Sequence, residues 1–223
     1  MPQQFSFNLT VIAENLYLYK QGISMTITAT ASSFLIGGAL GLVGSLMRLS
    51  KKRWLSGPAL AYIEIIRGTP VLVQLVWFYY CLPILLNIQV PAMMAAIIAL
   101  SLNVGAYLSE VFRAGIEAIP RGQTLSARAL GMSRALTMRR IILPQVMIRM
   151  LPPFLNHFID LLKASSLISV LAIPEIMYQS QVIIETTYRP IEILTFTALL
   201  YFAITYPTTI LSRKVESKFK ILI

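Results

Sequence analysis

The chain has 223 residues, of which 57% are hydrophobic and only 13% charged, and its mean hydropathy is +0.72. Soluble domains carry about 25% charged residues, so this composition argues against a soluble globular fold and for a chain built of membrane-spanning helices. Nineteen Lys and Arg against nine Asp and Glu give a net charge of +10, which fits nucleic acid, an anionic membrane face or loops held in the cytoplasm until position decides among them.

Taken in order, Leu9, Ile12, Leu16 and Tyr17 fall at helical spacing and predict a short amphipathic helix in the outer interface. Glu14 and the lack of any basic residue before Lys20 do not fit a secretory signal, so the first apolar span is expected to be retained. The 27 residues from Gln21 to Met47 contain no formal charge, and a span is expected at 23–46. It carries Gly37, Gly38, Gly41 and Gly44, and the four-residue spacing suits a close helix approach, either within the chain or at a subunit seam.

The next charge-free stretch, Gly68 to Ser109, has 42 residues and is interrupted by Pro83, Asn87 and Pro91. Two spans are expected there, at about 60–82 and 92–112. A fourth, at about 145–166, carries Arg149, Asp160 and Lys163, so it should line something polar. Pro174 is placed to start a short helix through Glu175, Ile176, Gln179 and Ile183. A last span at 193–212 contains Pro207, where a kink is expected.

Position explains most of the charge. Arg48, Lys51, Lys52 and Arg53 follow the first span; seven arginines from Arg113 to Arg149 follow the third; Arg213, Lys214, Lys218 and Lys220 follow the last. With alternating spans, 15 of the 19 basic residues lie on one side. The positive-inside rule makes that side cytoplasmic, with the N-terminus outside and the C-terminus inside. No compact basic face with interleaved aromatics remains for nucleic acid.

The largest basic loop, about 114–144, has its own helix grammar. In Gly122 to Pro144, Thr124 can cap a first short helix, Gly131 can end it, and Ser133 can cap a second that stops before Pro144. Ala127, Leu130 and Met132 would offer apolar contact to a soluble partner, with Arg128 and Arg134 beside them. A solvated loop that only sets topology is the plainer reading of the charge.

This loop resembles the conserved loop of membrane subunits of ATP-driven (ABC) importers: EAA, three residues, Gly, nine residues, Ile, any residue, Leu-Pro. Leu125, Ser126 and Ala127 stand at the EAA positions, Gly131 at the glycine, and Ile141, Leu143 and Pro144 at the tail, with Leu125 replacing the family glutamate. RGTPVLVQLVWFYY at 67–80, LSLNVGAYLSEVFRAGIEAIPRGQ at 100–123 and LLKASSLISVLAIPEI at 161–176 are similar to permeases for polar amino acids. The resemblance implies a single all-α permease domain over 1–223, with five spans of the type I importer fold, in a bacterial inner membrane. It implies that Ser126 to Met132 form a coupling helix seated in an ATPase subunit, with Leu125, Ser126, Ala127, Arg128, Leu130, Gly131 and Met132 as the coupling residues. It also implies two ATPase copies, a second permease subunit (identical or similar), an external solute-binding protein and an amino-acid substrate.

Polar residues on or next to the spans are candidates for the solute path: Thr69, Gln74, Asn103, Ser165, Ser166 and Ser169. Single hydroxyls more often make interhelical hydrogen bonds. Where several relatives have Asp between Lys and Ser/Thr, this chain has Ala164, which weighs against a cationic side chain on the substrate. Glu110 with Arg113, and Asp160 with Lys163, read as i,i+3 pairs. His157 reads as a core residue, and Cys81, the only cysteine, as a small buried hydrophobe. One Cys and one His cannot build a Cys/His metal cluster, and no cofactor is expected. No phosphate-cradling GxxxxGK[ST], HExxH or Gx-Ser-xG is present, so an enzyme is not expected and energy must come from a partner. Other readings are an importer for an opine or a sulfur-containing amino acid, or a passive channel or scaffold.

Overall fold

The computed structural model describes residues 7–219, so Lys220 lies outside the described residues. Among those described, all regular structure is helical: α1 Thr10–Glu14, α2 Leu16–Arg48, α3 Arg53–Arg67, α4 Val71–Val76, α5 Leu82–Leu86, α6 Ala92–Glu117, α7 Arg121–Ala129, α8 Arg134–Thr137, α9 Leu143–Ala164, α10 Ile176–Thr187 and α11 Pro190–Phe219. Wider π-helical turns join α4 to α5 at Trp77–Cys81 and α8 to α9 at Met138–Ile142, and a 3-10 segment, Ser165–Leu171, follows α9. Four helical stretches are long and apolar enough to cross a membrane, and a fifth crossing is available from a bent pair.

The centre is the pairing of α2 with α6. Gly37 lies against Ser101 and Val104, Gly41 against Gly105 and Leu108, and Gly44 against Ser109, so residue numbers rise together and the two helices run parallel. A Cβ placed on Gly41 would meet the Leu108 Cβ at 2.7 Å. The glycine stripe therefore serves packing within the chain, where backbone atoms must approach as closely as small residues allow. Around this seam Leu75, Ala99, Leu100, Val104, Leu161 and Ile168 form a buried core.

Several elements differ from the sequence expectation. The N-terminal amphipathic segment is split: α1 ends at Glu14, and Leu16 and Tyr17 already belong to the 33-residue α2, because nothing in 16–22 breaks a helix. The expected second span, 60–82, is two helices bent by 106° at Gly68–Pro70. Pro70 holds extended dihedrals (φ −62°, ψ 135°) at the start of α4, and its missing N–H cannot continue the α3 ladder. Pro144 does not end the second loop helix. The chain runs from α8 through the π turn into α9, and the widened turn accommodates the ring that would collide with a carbonyl four residues back. Cys81 is exposed, not buried, because its apolar flanks face outward from this chain.

Candidate functional site

The middle and the Glu117 end of α6 contribute to the site. At its Glu117 end, Glu110 accepts from Arg113 at 2.6 Å, with Arg48 of α2 at 4.0 Å and Glu117 also on Arg113, which ties the ends of α2 and α6 together. A three-residue turn then leads to α7. Pro120 occupies the N-cap of α7, so Thr124 lies inside that helix and caps nothing. Gly131 adopts φ +75°, its N–H bonds to the Arg128 carbonyl at 2.9 Å, and the Met132 N–H bonds to the Ala127 carbonyl at 3.1 Å. This is a Schellman ending, which favours glycine because a Cβ is strained at positive φ. Ser133 caps α8 by accepting from the Leu136 N–H at 3.3 Å. Leu125 and Leu130 are 66% and 81% exposed. Ala127 is buried against its own chain, so it is not part of the surface offered to a partner; Met132 is half-buried, and Ser126 and Arg128 are exposed.

Three of the expected path residues meet at the break between α3 and α4. The Gln74 side-chain amide donates to the Ile66 carbonyl at 2.7 Å and to the Thr69 hydroxyl at 2.8 Å, and its carbonyl accepts from Asn103 Nδ2 at 3.0 Å. Gln74 thus satisfies a carbonyl freed at the end of α3 and pins the bend to α6. The three serines do not join them. Ser165, Ser166 and Ser169 each donate to a carbonyl three residues back, at 2.7–2.8 Å.

Beside the bend lie two cavities that share one wall. The smaller, about 270 Å³, is lined by Asn103, Tyr107, His157, Asp160, Leu161 and Ala164. The larger, about 580 Å³, lies between α6 and α9 towards the α7 end and includes Arg67, Tyr107, Glu110, Arg149 and His157. Tyr107 and His157, whose ring centroids are 5.4 Å apart, stand in both walls. Arg67 lies over the other partner of that pair, its guanidinium 5.3 Å from the Tyr107 centroid. Sequence reasoning placed Asn103 on the path but treated His157 as core, and it did not single out Arg67 or Tyr107. Asp160 does pair with Lys163, at 3.4 Å, yet it also lines the smaller cavity. The only advance signal for these residues was the polarity of the fourth span.

A discontinuous helix, cavities with charged groups in their walls and an exposed helical elbow between long apolar helices fit a multi-pass membrane transport component with the all-helical type I ABC permease fold. Residues 37–221 match the family described as binding-protein-dependent transport system inner membrane component, and the chain belongs to that family. Over 216 residues it is 36% identical to the probable amino-acid ABC transporter permease protein YckA of Bacillus subtilis (strain 168), covering 97% of this chain and 95% of that protein. It is 34% identical over 217 residues to the glutamine transport system permease protein GlnP of Escherichia coli (strain K12), covering 97% and 99%. A solved amino acid ABC transporter chain, crystallised with histidines, superimposes with a TM-score of 0.89 at 35% identity, covering 96% of this chain and all of that one. The MetNI methionine transporter in an inward-facing form gives 0.69 at 20% identity and shares the fold. The chain is therefore a transport subunit, not an enzyme, and works with an ATPase subunit.

Proposed function

We propose that this chain forms half of the translocation path of a bacterial inner-membrane importer for polar amino acids. The likeness to amino-acid permeases over nearly the whole chain supports the solute class. A second permease subunit, identical or similar, completes the pore, two ATPase copies drive it, and an external binding protein delivers solute. The single permease domain crosses the membrane five times, the bent α3–α4 pair counting once, with the N-terminus outside. The side rich in arginine, including the α7–α8 loop, is cytoplasmic.

The observation that carries the coupling role is the pair of exposed leucines, Leu125 and Leu130, on a helix closed by Gly131 at φ +75°. An apolar surface between two spans, rigidly terminated and flanked by arginines, suits a cleft in a soluble subunit. Ser126 and Arg128 lie on the same exposed turns, while Leu125 stands where the family has glutamate. Solute passes the 68–70 bend through the cavity lined by Asn103, Tyr107 and Asp160.

Gly131→Pro fixes φ near about −65° where the Schellman ending needs a positive value. The expected outcome in reconstituted vesicles is loss of solute uptake while the complex still co-purifies with its ATPase and hydrolyses ATP. Normal uptake by this variant would remove the coupling role from the loop.

A further inference from the structure

The larger cavity has an electrostatic imbalance that the transport reading leaves unused. Two guanidinium groups line it, Arg67 from the end of α3 and Arg149 from α9. Among the described residues, the ion pairs are made by Arg48, Arg113, Lys163 and Arg189, and neither Arg67 nor Arg149 takes part in one. The carboxylate in the lining is Glu110, whose oxygens are already engaged by Arg113 at 2.6–3.2 Å. The Arg67 guanidinium lies over the Tyr107 ring, 5.3 Å from its centroid, a contact that commits none of its N–H donors to a hydrogen bond. Arg149 spends one donor, Nη1, on the Ala118 carbonyl at 2.8 Å and keeps the others.

We infer that this cavity is a binding site for a small carboxylate, held between Arg67 and Arg149. Carboxylates match the guanidinium fork, and a cavity of about 580 Å³ has room for an amino-acid-sized solute. The ligand class rests on the amino-acid importer reading; the anion site itself rests on the two arginines. Ala118 is the C-cap of α6, where the turn into α7 begins, so the residue that would grip the carboxylate also holds the root of the coupling helix. Solute arriving on the α7 side of the Tyr107–His157 wall is thereby felt by the loop that meets the ATPase.

The test uses the complete transporter in phosphatidylcholine vesicles, with Cys81→Ser to remove the exposed native thiol and Ala114→Cys to place one in the cavity lining. Labelling rates are compared for an anionic (sulfonatoethyl) and a cationic (trimethylammonioethyl) methanethiosulfonate. The anionic reagent should react faster, and Arg67→Gln or Arg149→Gln should each lower the rate ratio by about tenfold. Propionate should slow the anionic reagent, and propionamide at equal concentration should not. Equal rates for the two reagents, a ratio insensitive to both arginines, or equal protection by the amide would each overturn the site. So would protection by anionic phospholipid alone with nothing added by propionate, which would assign the arginines to a lipid headgroup. Val111→Cys, in the same lining, serves if Ala114→Cys disturbs assembly, and Arg67→Gln stands free of the Ala118 contact should Arg149→Gln loosen the loop. Uptake in the same vesicles tests the importer reading separately.

Discussion

Two polar regions at opposite ends of this helical bundle treat the same chemistry in opposite ways. Near the start of α2, buried polar groups close on one another: Glu175 accepts from the Tyr201 hydroxyl at 2.7 Å and from the Met177 and Tyr178 N–H groups at 2.9 and 2.8 Å. Beside it Ser180, Thr197 and Tyr19 form a chain of hydroxyls, and Gln179 donates to Gln21 at 3.2 Å. Towards the α7 end, Arg67, Arg149 and His157 instead line an open cavity, and Asp160 lines the smaller one beside it. Closed networks fix geometry, because every buried group left unpaired costs about 1–3 kcal/mol. Polar groups turned towards open space are costly for stability alone, and in a membrane they mark a path. The first region is scaffold, and the second is the one proposed above as the site.

The largest effect should come from opening the closed network. Glu175→Ala removes the N-cap of α10 and the acceptor for Tyr201 together, and should destabilise the protein by about 3 kcal/mol, read as a lowered thermal midpoint in detergent. Burial holds the Glu175 carboxyl above its ordinary range, against the pull of its backbone and tyrosine hydrogen bonds. The folded state then binds this proton more tightly than the unfolded chain does. Its contribution to stability is fully present below the ordinary glutamate range and is lost as pH rises through the raised value. Glu175→Gln should flatten that decline, and an unchanged pH profile would mean the network does not hold its acid form.

The next effect is steric and sharpens the contrast between positions that look alike in sequence. Gly41→Ala drives a Cβ into Leu108 and should cost about 2 kcal/mol, whereas the Cβ of Gly38→Ala meets nothing within 4 Å and should be silent. Equal effects from the two would place the glycine stripe at a seam outside this chain.

Sequence reading reached the elements whose causes are local. The apolar runs gave the helices that became α2, α6, α9 and α11, Gly131 and Ser133 announced the elbow, and Glu110 with Arg113 declared itself by spacing. The 106° bend was missed although Gly68, Thr69 and Pro70 carried its signal, because an unbroken absence of charge outweighed the turn residues. Pro144 misled in the other direction, since a π turn absorbs a proline that an α-helix would not. The cavities were beyond reach. Arg67, Tyr107, Arg149 and His157 come from three helices and share no period, so only packing brings them together.

The smallest predicted effect bears on the serines after α9, where the contrast between closed and open polarity runs through a single segment. Each hydroxyl of Ser165, Ser166 and Ser169 is donated to the backbone one turn back, an arrangement that leaves no donor for a passing solute. Asn103 on α6, hydrogen-bonded to Gln74 at the bend, also lines a cavity. Ser169→Ala should therefore leave both the KM and the maximal rate of uptake within about twofold of the parent, since losing such a local bond costs only a few tenths of a kcal/mol. Asn103→Ala, measured alongside, should raise KM, because it removes a polar group from the cavity wall and frees Gln74 from its anchor. If Ser169→Ala raised KM as much as Asn103→Ala, the hydroxyl would have to turn from its own helix towards the solute during transport, and the 3-10 segment would join the path.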